Sequence, residues 1–454
     1  MKALKKGMTL PDFKYGSLST TKIQFLSPPR FVKFLLAQSV AHSSFSIPNR
    51  GSELVLNPLV QEGDYVLTGT KIAEHPDFNS APLHSSVSGR VSKVTEDSIL
   101  IESDEVDKLD PSIHIRSELP SNPDHLIELI RQAGVVDLGG TAFPTHSRLV
   151  EARKQKIDTL VINGCESEPF LTSDHVLMLN HPVEVLKGIE LLRIASGASR
   201  AVIATERNKL EVVEILNTKN YNLKFNAIEI AHFPVRYPQG AERALAESIL
   251  GKELAYQQNA IQAGVLVENV ATAFAVYEAV YLNKPLYERV VTITGPCVIE
   301  PKNVWARIGT KASDLIRCAK GFLREPGRVI FGGPLTGEAI ASLERPMTKK
   351  VQGLVALSPD LLDTAAEQAC TRCAKCVEVC PESLVPETLM RAVKKGNHNL
   401  ALEYDINSCT ECGLCSYICP SHIPLVPLIK SGKMTTQYSS HQPAYAVHSQ
   451  NQSG

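Results

Sequence analysis

Several features that would mark other classes of protein are missing from this sequence of 454 residues. No uncharged apolar run reaches the roughly 18 residues that a membrane-spanning helix needs, and the nearest approach, residues 31–47, is interrupted by Lys33 and His42. The 47 Lys and Arg and 48 Asp and Glu leave a net charge of −1, without the basic excess of nucleic-acid-binding proteins. The first 13 residues contain lysines but no apolar core, so we expect no signal peptide.

Cysteine is also scarce, and a secreted disulfide framework is not indicated. Eight of the eleven cysteines fall in two short runs, CTRCAKCVEVCP (370–381) and CTECGLCSYICP (409–420). Both runs have the form C-x2-C-x2-C-x3-C-P, which is the spacing of bacterial ferredoxins. Structural zinc sites use paired C-x2-C knuckles instead of such triples. The runs therefore predict two [4Fe–4S] clusters in a reducing compartment, the cytosol.

The spacing also predicts which cysteines share a cluster. Three thiolates within one short run can wrap three corners of a cubane, and the fourth ligates the other cluster. One cluster is therefore assigned to Cys370, Cys373, Cys376 and Cys419, and the other to Cys409, Cys412, Cys415 and Cys380. Apolar residues between the runs recur at helical spacing, so this module is expected to be helical. Of the remaining cysteines, Cys297 and Cys318 are expected to be buried small apolar residues.

At this length about two to four domains are expected. Residues 50–100 alternate apolar and polar residues between turns and resemble a barrel-sandwich module of the lipoyl type, but its connecting turn HPDFNSAP has no carrier lysine. Residues 125–255 alternate strands and helices, which indicates a parallel α/β domain. The predicted organisation is a strap (1–49), a barrel-sandwich module (50–115), a Rossmann-like α/β domain (116–285), a β-grasp-like domain (286–350), an α-helical two-cluster ferredoxin domain (355–432) and a disordered tail (433–454).

The strap has a strong charge bias. Residues 1–36 carry seven Lys or Arg and one Asp. Such an arm could dock on anionic lipid or on an acidic partner, or it could be a solvated strap.

Two loops of the α/β domain are candidates for a nucleotide site. A protein that joins one-electron clusters to a two-electron pyridine nucleotide needs a flavin. In GVVDLGGTAFPTHSRL (134–149), Gly139 and Gly140 permit close approach to a phosphate, Pro144-Thr145 suits a helix start, and Arg148 is a natural phosphate partner. The alternative is an ordinary helix-entry turn. In INGCESEPFLTSDH (162–175), polar residues follow a strand end and could bind ribityl hydroxyls, or they could simply cap the sheet.

The order of motifs resembles one family. GGxxFPTH, NGxExEP, YPQGxE, N-V-x-T and two ferredoxin runs follow one another as in the RnfC family, the C subunits of Rnf electron-transport complexes, and the resemblance covers essentially the whole chain. The α/β domain is more distantly similar to the NADH-binding flavoprotein subunit of respiratory complex I, and to cobalamin reductases. The resemblance implies a peripheral subunit on the cytoplasmic side of the bacterial inner membrane. It would pass electrons between NADH, FMN and the two clusters, with other subunits of the complex and ferredoxin as partners.

The family also implies the residues of the flavin site. Hydride transfer needs no side-chain acid or base, so the sequence identifies no catalytic residue. The implied set is Gly139, Gly140, Phe143, Thr145 and Arg148 around the FMN phosphate loop, Asn163, Glu166 and Glu168 around the flavin and nicotinamide, Gly240 and Glu242 in the same pocket, and Asn269 and Thr272 near the phosphate. This chain departs from the family pattern at three loop positions. Asp137 and Ala142 stand where glycines belong, and Arg148 replaces a lysine; Cys165 and Ser167 exchange identities. Two alternatives therefore stay open: a non-catalytic cluster-carrying assembly subunit with a degenerate flavin pocket, and a soluble flavin/iron–sulfur reductase such as a cobalamin reductase.

Overall fold

The computed structural model describes residues 4–38, 54–255 and 258–439, which form two compact units. The first unit extends to Asp363 and the second begins at Thr364. Within these described ranges, no helix combines the length and the apolar character needed to cross a membrane.

The amino-terminal part of the first unit consists of short strands. They are β1 (Gln24–Phe25), β2 (Phe31–Leu35), β3 (Ala37–Gln38), β4 (Leu54–Val55), β5 (Asn57–Pro58), β6 (Tyr65–Val66), β7 (Lys71–Glu74), β8 (Leu83–His84), β9 (Gly89–Val94) and β10 (Ser98–Ser103). An antiparallel sheet has the order β2-β10-β9-β6, and a second sheet has the order β5-β7-β8. The predicted limits of the strap were wrong here, because β2 pairs with β10 and belongs to the barrel-sandwich module. Val32 and Phe34 alternate into its core, which is the period of a strand.

The middle of the unit is an α/β domain, and the prediction of parallel strands is confirmed. Its elements are α1 (Pro123–Gln132), α2 (Thr145–Lys154), β11 (Thr159–Asn163), α3 (Ser173–Asn180), α4 (Pro182–Ser196), β12 (Arg200–Glu206), α5 (Leu210–Leu223), β13 (Ile228–Phe233), α6 (Glu242–Leu250), β14 (Val265–Asn269) and α7 (Val270–Tyr281). The sheet has the order β13-β12-β11-β14. β11 and β14 are almost wholly buried, as expected for a parallel sheet covered on both faces. All four strands therefore end at one edge, where ligands of such sheets bind.

A mixed sheet completes the first unit. Its elements are β15 (Glu288–Thr294), β16 (Lys302–Arg307), α8 (Ala312–Cys318), β17 (Arg328–Phe331), β18 (Glu338–Ala339) and β19 (Gly353–Leu357). The order is β1-β16-β15-β19-β17-β18, so the strap contributes an edge strand, which the sequence analysis did not predict. Residues of the barrel-sandwich module and of this sheet share one hydrophobic core, which includes Phe34, Ile99, Val291 and Leu354.

The second unit is helical, as predicted from the spacing between the cysteine runs. It contains α9 (Lys375–Glu378), α10 (Pro386–Lys394), α11 (His398–Glu403), α12 (Leu414–Tyr417) and α13 (Leu425–Ser439). The predicted disordered tail began too early, because residues 433–439 continue α13. Thr436 is buried there, so this turn packs instead of being solvated. Residues 440–454 of the predicted tail lie outside the described residues.

The lysine-free turn of the barrel-sandwich module packs on the α/β domain, and this contact predicts a pH dependence of stability. The ring of His146, fully buried in α2, has Nε2 at 2.6 Å from the carbonyl oxygen of Phe78 in that turn. Burial lowers the pKa of His146 to about 4. In the unfolded chain the pKa of His146 is near 6.5, so below that pH the unfolded state binds a proton that the folded state does not. The free energy of unfolding therefore falls as the pH drops from 6.5 towards 4.

We expect His146 alone to cost about 2 kcal/mol of unfolding free energy between pH 7 and pH 5. His146→Gln removes the titrating group and should reduce the acid-induced loss of unfolding free energy by that amount. Chemical denaturation followed by the fluorescence of Trp305, the single tryptophan, measures this. The exposed His125 of α1 provides the control, because His125→Gln should leave the pH profile unchanged. An unchanged profile for His146→Gln would show that the buried imidazole does not set it.

Candidate functional site

The two cysteine runs form loops of the same backbone shape. The residues on either side of the second cysteine have positive φ in both loops: Arg372 and Ala374 in one, Glu411 and Gly413 in the other. In each loop the first cysteine accepts a backbone N–H from the residue two positions later, at 3.4 Å in both cases. Such N–H···S contacts are among the features that tune iron–sulfur clusters. The repeat in sequence is therefore also a repeat in backbone conformation.

The fourth cysteine of the first run lies with the three cysteines of the second run. Cys380, Cys409, Cys412 and Cys415 line a single cavity whose other walls are mostly apolar. Burial, and then the neighbouring Cys380 thiolate, raise the pKa of Cys412 to about 12. Coordination to iron would ionise these thiols, because it requires thiolate ligands.

The fourth cysteine of the second run lies near the first run. Burial, followed by the thiolates of Cys373 and Cys419, raises the pKa of Cys376. The two sets of cysteines also differ in exposure. Cys370 and Cys373 are exposed, whereas Cys380 and Cys415 are buried. One set of cysteines is therefore more open to solvent than the other.

The cysteine positions fit cubane clusters. No three Cys, His, Asp or Glu side chains in the described part of the chain converge closely enough to hold one metal ion. A [4Fe–4S] cluster presents four separate irons, so its ligands surround a space instead of a point. The cavity enclosed by Cys380, Cys409, Cys412 and Cys415 has that form.

The predicted polar residues of the α/β domain do gather at the carboxyl edge of its sheet. Asn163 ends β11, and its side-chain amide donates to the carbonyl of Gly240 at 2.9 Å. The Gly240 N–H donates in turn to the hydroxyl of Ser167. Glu166 has φ of 49° and its carboxylate accepts the N–H groups of Asp174 and His175, so it caps α3. These side chains are brought together, but they are largely bonded to one another.

Glu168 is bonded to the mixed sheet. Its carboxylate accepts the N–H and the hydroxyl of Thr336, at 2.9 and 2.5 Å, and the N–H of Leu335. Burial raises the pKa of Glu168, and these hydrogen bonds oppose that shift. Glu168 therefore anchors the turn after β17, and its place around the flavin and nicotinamide stays a prediction.

The glycine loop leads into α2 at Thr145 as predicted, but Asp137 points into the loop. Its carboxylate accepts the N–H of Gly139 at 3.1 Å, and the N–H and hydroxyl of Thr141 at 3.3 and 2.5 Å. Ala142 adopts φ of 54° despite its side chain. Gly139 and Gly140 are exposed, and Phe143 and Thr145 are buried.

Arg148 lies beneath this loop and is engaged by carboxylates. It pairs with Glu242 at 3.2 Å and with Glu268 at 3.3 Å, and its own side chain is 3% exposed. Burial opposes the charged form of Arg148, but the carboxylates of Glu242, Glu268 and Asp137 raise its pKa. Burial raises the pKa of Glu268, and the guanidinium of Arg148 opposes that shift. Sequence reasoning missed Glu268, although an acidic residue in the apolar strand VLVEN was a signal.

The two residues implied near the phosphate already have protein partners. Asn269 caps α7 by accepting the N–H of Ala271, and its amide donates to Asp174 at 2.7 Å. The hydroxyl of Thr272 accepts the N–H of Leu138 in the glycine loop at 2.9 Å.

The strap crosses the same edge and contributes a residue that sequence reasoning missed. The Nζ of Lys14, buried, donates to the carbonyl of Glu166. The Nζ of Lys209, which is also buried, donates to the carbonyl of the buried Cys165 at 2.5 Å. Burial, and then the charge of Lys209, lower the pKa of Lys14. No local pattern around Lys14 marks it, because its position depends on where the strap folds back.

Comparison with known proteins assigns three stretches of the chain to domain types. Residues 2–117 match the RnfC barrel sandwich hybrid domain, residues 130–278 match the Nuo51 FMN-binding domain, and residues 363–420 match a 4Fe-4S dicluster domain. The predictions of a barrel-sandwich module, of a domain similar to the FMN-binding flavoprotein of complex I and of a 4Fe–4S domain are confirmed. In fold, the chain resembles NAD+-reducing [NiFe]-hydrogenase in the H2-reduced state, with a TM-score of 0.51 and 19% identity over 72% of this chain and 64% of that one.

These domains define an iron–sulfur redox protein built on a Nuo51-type α/β domain. The chain is 37% identical to the C subunit of the Na(+)-translocating ferredoxin:NAD(+) oxidoreductase complex of Acetobacterium woodii, over 72% of this chain and 76% of the relative. It is 33% identical to the proton-translocating counterpart of Clostridium ljungdahlii, over 73% and 74%. The chain belongs to the RnfC family of ion-translocating oxidoreductase complexes.

Some relatives are considerably longer. The C subunit of the ion-translocating oxidoreductase complex of Haemophilus influenzae is 37% identical over 83% of this chain, and the match spans 59% of that relative.

Proposed function

We propose that the chain is an electron-transfer subunit of an ion-translocating oxidoreductase complex and carries two [4Fe–4S] clusters. The observation that supports this most directly is the grouping of the cysteines into two sets that each draw on both runs. In each set, three cysteines from one run would hold three irons, and the fourth iron would be held by the other run. Two clusters supported by one helical unit can relay single electrons.

The difference in exposure suggests a direction along this relay. The cluster near the exposed Cys370 and Cys373 would exchange electrons with another subunit, because close approach to a partner requires an accessible cluster. The cluster among Cys380, Cys409, Cys412 and Cys415 would be the shielded member of the pair. Lys433 supports that position by donating to the carbonyl of Cys409 at 2.9 Å.

The relatives' names indicate the complex in which this relay would act. Two of them belong to ferredoxin:NAD(+) oxidoreductase complexes, so we propose NADH and ferredoxin as the termini of electron flow. The chain would bind other subunits at the cytoplasmic face of the membrane. FMN would be the group that divides a hydride into single electrons, and the family assigns it to the α/β domain. The donors around the glycine loop do not fit its phosphate, because Asp137 already accepts two loop N–H groups.

The topology of the first unit supports two finer fold proposals. The parallel order β13-β12-β11-β14 with flanking helices is consistent with a Rossmann-like domain. The mixed sheet, in which β15 and β19 form a parallel pair between antiparallel neighbours, is consistent with a β-grasp-like domain.

Anaerobic purification with iron and acid-labile sulfide analysis tests the proposed clusters. We expect about eight irons and eight sulfides per chain, and two reducible clusters in electron paramagnetic resonance. Zinc in place of iron, or a single reducible cluster, would contradict the proposal. Fractionation of native cells separates it from the soluble cobalamin-reductase alternative, since a subunit of a membrane complex should sediment with the membranes and a soluble reductase should not.

A further inference from the structure

The glycine loop of the α/β domain is built as an anion site, and the anion is supplied by the chain itself. A glycine loop that leads into a helix presents backbone N–H groups to a phosphate. Here the carboxylate of Asp137 accepts two of those groups, from Gly139 and Thr141. The Leu138 N–H is bonded to the hydroxyl of Thr272. Asp137 is 5% exposed, so this carboxylate is part of the packed loop.

The loop is also shaped around this carboxylate. A Cβ added to Gly139 would lie 3.1 Å from one carboxylate oxygen of Asp137 and 3.2 Å from the Cβ of Asn269. The glycine is therefore needed for close approach, but the group that approaches is an internal side chain. A phosphate at the same amides would have to displace it.

The charges beneath the loop oppose a phosphate as well. Arg148, the residue implied to neutralise it, already faces the carboxyl groups of Glu242, Glu268 and Asp137. Glu268 has 0% side-chain exposure and its carboxyl oxygens accept no hydrogen bond within the described residues, so the ion pair with Arg148 is its compensation. A phosphate dianion would compete with Glu268 for that guanidinium and leave a buried carboxyl uncompensated.

We propose that Asp137 and Glu268 close the glycine loop of this chain to the phosphate of FMN, so that its α/β domain holds no flavin. The clusters would then receive single electrons from reduced ferredoxin, the one-electron terminus of the proposed function, by way of another subunit. The inference rests on the proposed function and changes only where electrons enter. It requires no change in the cluster ligands, because the cysteines belong to the other unit of the chain.

Flavin binding by the anaerobically purified, cluster-loaded chain tests this inference. The probes are FMN and riboflavin, which differ in the phosphate, and binding is read from quenching of flavin fluorescence and from co-elution in gel filtration. We expect the unaltered chain to purify without flavin. Asp137→Gly combined with Glu268→Gln should raise the affinity for FMN by about tenfold or more, equivalent to about 1.4 kcal/mol, and leave riboflavin binding unchanged.

Two further variants keep the result interpretable. Asp137→Asn removes the charge and keeps the shape, so it should give part of the gain even if the glycine variant folds poorly. Glu214→Gln, on the exposed face of α5, should change nothing. Stoichiometric FMN in the unaltered chain, an equal gain for riboflavin, or no gain in the double variant would each overturn the inference. Iron analysis of the same samples is independent of it, so loss of the clusters would count against the proposed function alone.

Discussion

A chain in which Cys419 is replaced by alanine will lose the same cluster as a chain in which Cys376 is replaced. Each single variant should retain about four of about eight irons, because one [4Fe–4S] cluster loses a ligand and the other keeps all four. The physical reason is the exchange of fourth ligands between the runs: Cys419 lies near Cys376 and Cys373, and Cys380 lines the cavity of the second run. Iron and sulfide analysis after anaerobic purification measures the loss.

Double variants make this result decisive. Cys376→Ala with Cys419→Ala should still retain about four irons, because both ligands belong to one cluster. Cys415→Ala with Cys419→Ala should retain almost none, although both cysteines come from the same run. If instead the second pair retained four irons and the first pair none, each run would hold its own cluster and the proposed ligand sets would be wrong. Cys318→Ala, outside both runs, should retain all of the iron.

The cluster loops illustrate what the sequence can predict. The ligands of each loop are separated by two residues, so the spacing alone restricts the backbone to a wrap around a common centre. The positive φ values at Ala374 and Gly413 are the structural consequence of that wrap. Parallel strands in the α/β domain were predictable because strands and helices alternate along residues 125–255, and each helix carries the chain back to start a strand in the same direction.

The glycine loop illustrates what the sequence cannot predict. Asp137 was recognised as a departure from the family, but a side chain in a tight loop can point toward or away from the loop N–H groups with little difference in local sequence. Its direction depends on the charge of Arg148 beneath the loop and on the packing that leaves Asp137 only 5% exposed, and local sequence encodes neither. The position of Lys14 depends in the same way on the path of the strap, and no periodicity in residues 1–30 encodes that path.

Replacing Gly188 by alanine should destabilise the first unit by about 3 kcal/mol or more. Gly188 lies in the middle of α4, where helix propensity alone would favour alanine by about 1 kcal/mol. Packing makes the substitution destabilising instead, because a Cβ at this position would lie 1.8 Å from the carbonyl oxygen of Ala273 in α7. That oxygen belongs to the backbone of a neighbouring helix and cannot rotate away as a side chain would, so α4 and α7 must separate.

The separation can be observed directly in the same molecule. Trp305 packs on Phe274 of α7, with ring centroids 5.4 Å apart, so its fluorescence should change in the folded Gly188→Ala chain as well as on unfolding.

The control is Gly251→Ala at the end of α6, where φ is 69° and the new Cβ meets nothing within 4 Å. That variant should cost about 1 kcal/mol through backbone strain and leave the native fluorescence unchanged. Equal stability losses in the two variants would mean that α4 and α7 can adjust their spacing freely. A larger loss in Gly188→Ala would show that α7, which carries Thr272 to the glycine loop, is held at a distance that only glycine permits.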